Sequence, residues 1–549
     1  MNYFLHLIQF LQDNISGSLW FVLLLLGTGL FFTIYLGFPQ IRHLGTSINI
    51  LRGKYDNPDD KGDTSHFQAL TTALSGTVGT GNIAGVAFAI HLGGPSALFW
   101  MLITALLGMC TKFVEVVLSH KYREINDMGT ISGGPMYYMK NGLKWKWMPI
   151  VFAIATIISS FGTGCLPQVN SIANSLFATW GINKILSGAV LALVLGLVVL
   201  GGIKRIAKVT EKLVPFMAIL YLIGALSVLA YNYENIIPSI ESIFSGVFTG
   251  SAATGGFLGA SLAFAFNRGV NRGLFSNEAG QGSAPIAHAS AKCSNPVHEG
   301  FVALLEPFID TIIICSITGI TLLSSGVWNE KIETPFEKTN TVILTQKYDE
   351  NNSDDLNKLK SYIVGESSIP TFDGELTVVD GKITKEVSIL HAHSIAEEVV
   401  IYFNNKPYNG TLSVHNGHVK LGMEYVIQGK SLIHSAPLTT EAFTRGYFGK
   451  YGKYIVSIGL LMFAFSTAIA WAYYGSTAVI YLVGTKYVNV FLLLYVIGFF
   501  IAAFADTTLI WAISGIMIAL MTIPNLIGLL FMHKEIKQEL KDFEKTSNK

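Results

Sequence analysis

The chain has 549 residues, of which 51 % are hydrophobic and 13 % charged, and its mean hydropathy is +0.47. An average soluble domain carries about 25 % charge, so this composition excludes an ordinary soluble enzyme, a coiled coil and a disordered chain. Lys+Arg is 37 against Asp+Glu 36, which leaves no basic excess to neutralise a nucleic-acid backbone.

Apolar segments of membrane-spanning length recur near 18–38, 67–91, 95–118, 148–172, 180–201, 213–231, 260–293, 299–326, 449–483, 487–505 and 508–532, eleven in all. Lipid leaves no water to pair free amides, so stretches this long and apolar are helices. The expected fold is an all-α polytopic membrane protein. Ahead of the first span, Tyr3–Leu11 is amphipathic and reads as an interfacial segment. The first span lacks the basic start and small-residue cleavage site of a signal peptide and reads as retained. Residues 1–66 thus form an N-terminal unit with a linker that carries Arg42, Arg52, Lys54 and Lys61. Further Lys and Arg fall at 121–146, 204–212 and in the tail 534–549. With eleven spans, these four clusters share a side only if the N-terminus lies outside and the C-terminus in the cytoplasm.

Span two contains Ser75-Gly76-Thr77-Val78-Gly79-Thr80-Gly81-Asn82-Ile83-Ala84-Gly85, and span seven contains Gly273 to Pro285 with Ser276, Asn277, Glu278 and Gln281 among its glycines. Glycine lets the chain leave helical geometry, and proline removes a ladder donor. Glycines also serve merely to pack helices closely. Two interrupted segments at matching positions in two halves (67–231, and 232–326 with 448–533) instead point to a transporter site. An alternative second break lies at Gly255-Gly256-Phe257. Intramembrane charges Glu278, Glu306 and Asp310 are functional candidates or helix-holding pairs. Glu278 is expected to pair with Arg268 or Arg272 or to face a substrate amine. Lys112 and Glu115 are expected to snorkel from a helix end.

The segment 327–447 differs from the rest. It holds 16 acidic and 11 basic residues in 121, or 22 % charge, against 11 % elsewhere. Runs at 375–379, 397–403, 411–414 and 424–428, broken by Asp380-Gly381, Asn409-Gly410 and Asn416-Gly417, read as a small, mostly β extracytoplasmic lobe. His391, His393, His415 and His418 raise the idea of a metal there. No nucleophile elbow or phosphate loop is present, so the chain is not read as an enzyme.

The motifs Gly79-Thr80-Gly81-Asn82-Ile83-Ala84-Gly85, Gly93-Gly94-Pro95-Ser96-Ala97-Leu98-Phe99-Trp100-Met101, Gly133-Gly134-Pro135-Met136-Tyr137-Tyr138, Arg272 to Gly280 and Trp471-Ala472-Tyr473-Tyr474-Gly475 together resemble the alanine or glycine:cation symporter family. Leu102 stands where that family usually has Trp, and the 120-residue insertion is not part of its usual pattern. The resemblance implies a leucine-transporter-like fold: one leading helix and a 5+5 inverted-repeat core. It also implies Na⁺-coupled uptake of a small neutral amino acid across the plasma (inner) membrane, with Na⁺ as coupling ion and no other cofactor. By position, Na⁺ ligands would be the Ser75, Val78 and Phe463 carbonyls and the Ser466 and Thr467 hydroxyls. The substrate would meet Gly79, Thr80, Gly81, Asn82, Gln168, Phe275, Ser276 and Trp471. The insertion allows an alternative, a non-transporting sensor or scaffold whose lobe 327–447 docks a partner of its own.

Overall fold

The computed structural model describes residues 10–249, 262–336, 341–364, 367–419, 424–505 and 508–547. The expected interfacial segment Tyr3–Leu11 lies almost wholly outside them, as does the alternative break at Gly255–Phe257. Among the described residues eight helices are long and apolar enough to cross a membrane, and a ninth span is made by a pair bent by 52°. In chain order the elements used below are α1 (Leu19–Tyr35), α2 (His66–Thr77), α3 (Val86–Gly93), α4 (Ser96–Lys121), α5 (Met148–Trp180), α6 (Lys184–Val199), α7 (Gly202–Tyr231), α8 (Ile236–Thr249), α9 (Leu262–Asn277), α10 (Ala284–His288), α11 (Pro296–Ser324), α12 (Ser435–Thr444), α13 (Gly452–Val483), α14 (Val488–Ala502), α15 (Thr508–Phe531) and α16 (His533–Ser547).

Two of the eleven expected spans do not form helices of that length. Helix α6 has 16 residues. The stretch 260–293 stops being helical at Asn277, because Glu278, Gly280 and Gly282 all take positive φ (53°, 86° and 80°) before the short α10 begins at Ala284. Residues 236–249, between the expected spans 213–231 and 260–293, form α8.

Helix α4 is the central post, packed between α9 and α11 and against α1. Helix α13 runs through the middle of the other half, against α2, α5 and α7. Leu193, Leu197, Phe216 and Leu493, on α6, α7 and α14, are all more than half exposed, an apolar exterior suited to lipid. The four basic segments meet on one face. Arg42 pairs with Glu544 at 2.8 Å, Lys121 with Glu539 at 2.7 Å, Arg123 donates to the Lys61 carbonyl at 2.8 Å, and Lys204 lies 3.8 Å from Asp63.

The lobe occupies the opposite end, where His91 of α3 packs on His393 with ring centroids 5.3 Å apart. One sheet pairs Lys406–Pro407, Glu397–Phe403, Tyr425–Ser431 and Ile332–Pro335 in that order, and a second pairs His418–Val419, Gly410–His415, Gly374–Val379 and Lys382–Ile383. Asp380-Gly381 and Asn416-Gly417 turn with positive φ at both residues, the geometry of the two-residue hairpin. A third such turn, Asn404-Asn405, has no glycine and escapes sequence reading.

Candidate functional site

Helix α2 starts at a capping box, in which the Ser65 hydroxyl accepts from the Gln68 amide and the Ser65 amide donates back to Gln68. Its other end is cut by Asn82. The Asn82 Oδ1 accepts from the Gly79 amide at 2.8 Å, and that amide is the one that would otherwise close on the Ser75 carbonyl. The Ser75 oxygen is therefore turned over to α13. There the Ser466 hydroxyl lies 3.4 Å from it and 2.8 Å from the Phe463 carbonyl, and the Thr467 hydroxyl donates to the same carbonyl at 3.0 Å. A Cβ built on Gly79 would sit 2.5 Å from Thr467 Oγ1, so only glycine admits that hydroxyl. Val78 is buried at the end of α2. The result is a set of uncharged oxygens, two hydroxyl and two carbonyl, suited to a small hard monovalent cation.

A cavity of ≈ 10 Å³ adjoins this cluster, lined by Gly76, Thr77, Gly79, Thr80, Gly81, Thr163, Gln168, Phe275, Glu278 and Thr467. That is room for about one water. Gln168 Nε2 donates to the Thr163 carbonyl at 3.0 Å, and its Oε1 is buried without a hydrogen-bond partner. Of the expected substrate residues, Gly79, Thr80, Gly81, Gln168 and Phe275 line the cavity, and Asn82, Ser276 and Trp471 do not.

Those three stand behind it. Asn82 Nδ2 donates to Asp310 Oδ1 at 2.6 Å, while Ser276 and Thr311 donate to Asp310 Oδ2 at 2.9 and 2.7 Å. Asp310 thereby ties the first break, the last turn of α9 and a π-helical turn of α11 (Phe308–Cys315) into one buried knot. Trp471 donates its Nε1 to Glu278 at 3.1 Å, and Ser283 donates to the other Glu278 oxygen at 2.5 Å. The expected pairing of Glu278 with Arg272 is not formed, because Arg272 lies over the Phe88 ring at 4.6 Å.

The expectation that Lys112 and Glu115 snorkel is wrong. Both are fully buried, since α4 continues to Lys121 and is covered on both sides by α9 and α11. Lys112 donates to Glu306 at 3.0 Å, and Glu115 accepts from the Gly282 amide at 3.1 Å and from Asn525. The four lobe histidines do not converge. His391 stacks on Phe336 at 4.2 Å, His415 faces Asp373 at 3.0 Å, and His418 lies beside the Thr341 carbonyl. Among the described residues no group of His, Cys, Asp and Glu could hold a metal ion.

One closing element was not legible in the sequence. Helix α12, at the end of the lobe, lies on the first break, and Thr439 Oγ1 donates to the Ile83 carbonyl at 2.9 Å. Ile83 follows Asn82 directly, so α12 meets the first break from the lobe side.

The family model described as "Sodium:alanine symporter family" matches residues 1–352 and 419–549, leaving the middle of the lobe unmatched. An "Uncharacterized transporter" of Haemophilus influenzae is 35 % identical over 540 residues, covering 98 % of this chain and 96 % of its own. The "Sodium/alanine symporter AgcS" of Methanococcus maripaludis is 35 % identical over 540 residues, with 97 % and 96 % covered. The "Probable sodium/glutamine symporter GlnT" of Bacillus subtilis is 37 % identical over 324 residues, covering 59 % of this chain and 66 % of its own.

Proposed function

The chain belongs to the sodium:alanine symporter family, and on that premise we propose that it takes up a small neutral amino acid, such as alanine or glycine, together with Na⁺. The reading supported best is secondary active transport across the plasma membrane by alternating access. The N-terminus and the lobe face outward and the basic face meets the cytoplasm, as the loop charges require.

The observation that carries it is the pairing of a charge-free oxygen cluster with the cavity beside it, Thr467 belonging to both. Na⁺ binds between the freed Ser75 and Val78 carbonyls of α2 and the Ser466, Thr467 and Phe463 oxygens of α13. In doing so it fixes α2 against α13 and sets the broken turn 79–82 for the substrate. Amides of that turn take the carboxylate, and Gln168 Oε1 offers an acceptor to the ammonium. Phe275 closes the side-chain end. The cavity is too small for an amino acid as it stands, so loading requires α12 and the α9–α10 break to move away from α2. Asp310 keeps the two breaks moving together. The two halves, α2–α7 and α9–α15, are read as inverted five-helix repeats behind the leading α1.

The test is uptake into liposomes reconstituted with the full chain. Labelled alanine, glycine, glutamine and leucine are offered under an imposed Na⁺ gradient. Accumulation of a small neutral amino acid that disappears when Na⁺ is replaced by choline is expected. Failure of every amino acid to accumulate overturns the proposal.

A further inference from the structure

Two linkers meet on the basic face. One leads into α2 and the other leaves α10, so each belongs to the basic-face piece of a broken helix. They are bonded backbone to backbone. The Asp63 and Thr64 amides both donate to the Ser290 carbonyl, at 2.8 and 3.1 Å, and the Lys292 amide donates to the Thr64 carbonyl at 2.7 Å. The Thr64 and Ser290 hydroxyls lie 2.8 Å apart. A Cβ on Gly62 would fall 2.4 Å from the Lys292 backbone, so glycine is what lets the linkers close. Helices α2 and α10 also pack on each other. Together they form one body. Its inner ends, Gly76 and Thr77 of α2 and Glu278 ahead of α10, line the cavity.

Arg123, just past the end of α4, grips this body. Its Nη1 donates to the Ala289 and Ala291 carbonyls at 2.8 and 2.7 Å, and its Nη2 to the Lys61 and Cys293 carbonyls at 2.8 and 2.9 Å. One guanidinium thus spans both linkers. Asp60, Asp63 and Glu299 lie within Coulombic reach and offset its charge, so these donors all turn to neutral backbone oxygens. The two kinds of joint differ. Inside the body the bonds run backbone to backbone, whereas α4 holds it by side chains: Arg123, and Ser119, whose hydroxyl donates to the Pro285 carbonyl at 2.7 Å. A long side chain releases and regains its partners without unfolding any backbone. On α13 the Tyr474 hydroxyl is buried without a hydrogen-bond partner, and a Cβ on Gly76 would lie 2.8 Å from it. A sealed hydroxyl is costly to leave unpaired. Water reaches this one only when α2 leaves α13.

We propose that Arg123 is the positioning residue of a latch on the basic face, and that α2 and α10 swing away from α4 and α13 as one body when it lets go, releasing the amino acid and Na⁺. The proposal rests on the symport reading. Arg123 acts through the two linkers and touches neither substrate nor ion. The latch stays shut while the cavity is loaded from the lobe side, and Na⁺, by fixing α2 against α13, favours the shut state.

Native Cys293 reports the latch. Its thiol is buried beside the gripped linker, while the buried Cys110, Cys165 and Cys315 lie within α4, α5 and α11. The full chain in nanodiscs, open to both faces, is treated with a soluble maleimide. Labelling of Cys293 is expected to be slow and to be slowed further by Na⁺. In Arg123→Gln it should quicken at least tenfold while the other three thiols stay unlabelled. Arg123→Lys, which lacks the planar fork, should fall between. An unchanged rate in Arg123→Gln overturns the latch. In a chain that transports, equal wild-type rates with and without Na⁺ mark a static contact and overturn it too. If all four thiols label, the variant has unfolded and a second arm decides. There Thr64→Cys/Ser290→Cys, in a Cys293→Ser chain, is oxidised to a disulfide that joins the linkers. Alanine uptake into liposomes under a Na⁺ gradient should keep more than half its reduced-state rate. Uptake abolished by the disulfide and restored by reduction shows that α2 leaves without α10 and overturns the proposal. If the wild-type chain accumulates no amino acid, the symport reading falls, and the maleimide rates of Arg123→Gln against wild type decide the latch alone.

Discussion

Replacing Gly79 with alanine tests the coupling of the cation cluster to the broken helix. Gly79 does not adopt a left-handed φ, so the backbone accepts alanine and the effect is one of space. The new Cβ would lie 2.5 Å from Thr467 Oγ1 and 3.6 Å from Thr467 Cβ. The hydroxyl must therefore retreat by about 1 Å, while the rest of the side chain is in ordinary contact. Retreat breaks its 3.0 Å bond to the Phe463 carbonyl. A lost buried hydrogen bond costs about 1 kcal/mol, and overpacking adds roughly 1–3 kcal/mol. Na⁺ also loses one neutral oxygen. At 1.4 kcal/mol per tenfold, the Na⁺ concentration for half-maximal uptake should rise roughly tenfold or more. Thr467→Ala should raise it similarly. In that background the obstacle is gone, so Gly79→Ala should add less than about 0.5 kcal/mol, a strong non-additivity for a double-mutant cycle. The assay is alanine uptake into liposomes across a Na⁺ series for the four proteins. Simple addition of the two single effects, or an unchanged Na⁺ dependence in Gly79→Ala, would refute the placement of Na⁺ against Thr467.

Phe275→Ala should admit larger substrates, so that unlabelled leucine or glutamine competes with labelled alanine roughly tenfold better, the weight of one or two methylenes in a pocket. Asp310→Asn leaves the Ser276 and Thr311 hydroxyls with one carbonyl oxygen between them and turns an amide toward Asn82. A loss of about 1–3 kcal/mol should appear as a lower melting temperature in detergent, together with slower uptake. Lys112→Met leaves Glu306 buried beside no fixed cation and should cost about 3–5 kcal/mol, with most of the loss recovered in Lys112→Met/Glu306→Gln; both are read from the same melting curves.

Much of the site was legible because unusual backbone demands unusual residues. A helix that stops at membrane depth and turns a carbonyl toward a neighbouring helix needs glycine where that helix approaches, and a side chain to take the orphaned amide. Gly79 and Asn82 are those residues. The second break was placed within Gly273 to Pro285, and the structure puts it at 278–283. Gly280 and Gly282 announce left-handed backbone, but Glu278 takes the same conformation with no sign in its identity. The misreading of Lys112 has a different cause. It looked like a snorkelling residue because its distance from the helix end is written in the chain, whereas its partner Glu306 is 194 positions away. Asn82, Ser276 and Trp471 belong to the motifs that suggested the substrate site, and here Asp310 and Glu278 hold their side-chain polar atoms away from the cavity.

The same reasoning bears on the lobe. Its hairpin signals could be read at Asp380-Gly381 and Asn416-Gly417, but its place over the cavity could not, since that depends on α12 meeting the first break. The family match resumes at residue 419, before α12 begins, and omits the central strands. The α12 contact with the broken helix therefore lies inside the family pattern, while the unmatched part meets the core elsewhere, where His393 packs on His91. Thr439 makes the α12 contact. Its hydroxyl takes the Ile83 carbonyl in the π-turn that follows Gly81, so any movement of the broken helix that opens the cavity toward the lobe must first separate these two groups. The bond is a single neutral hydrogen bond, worth about 1 kcal/mol, strong enough to bias the closed state and weak enough to be overcome when Na⁺ and the amino acid bind.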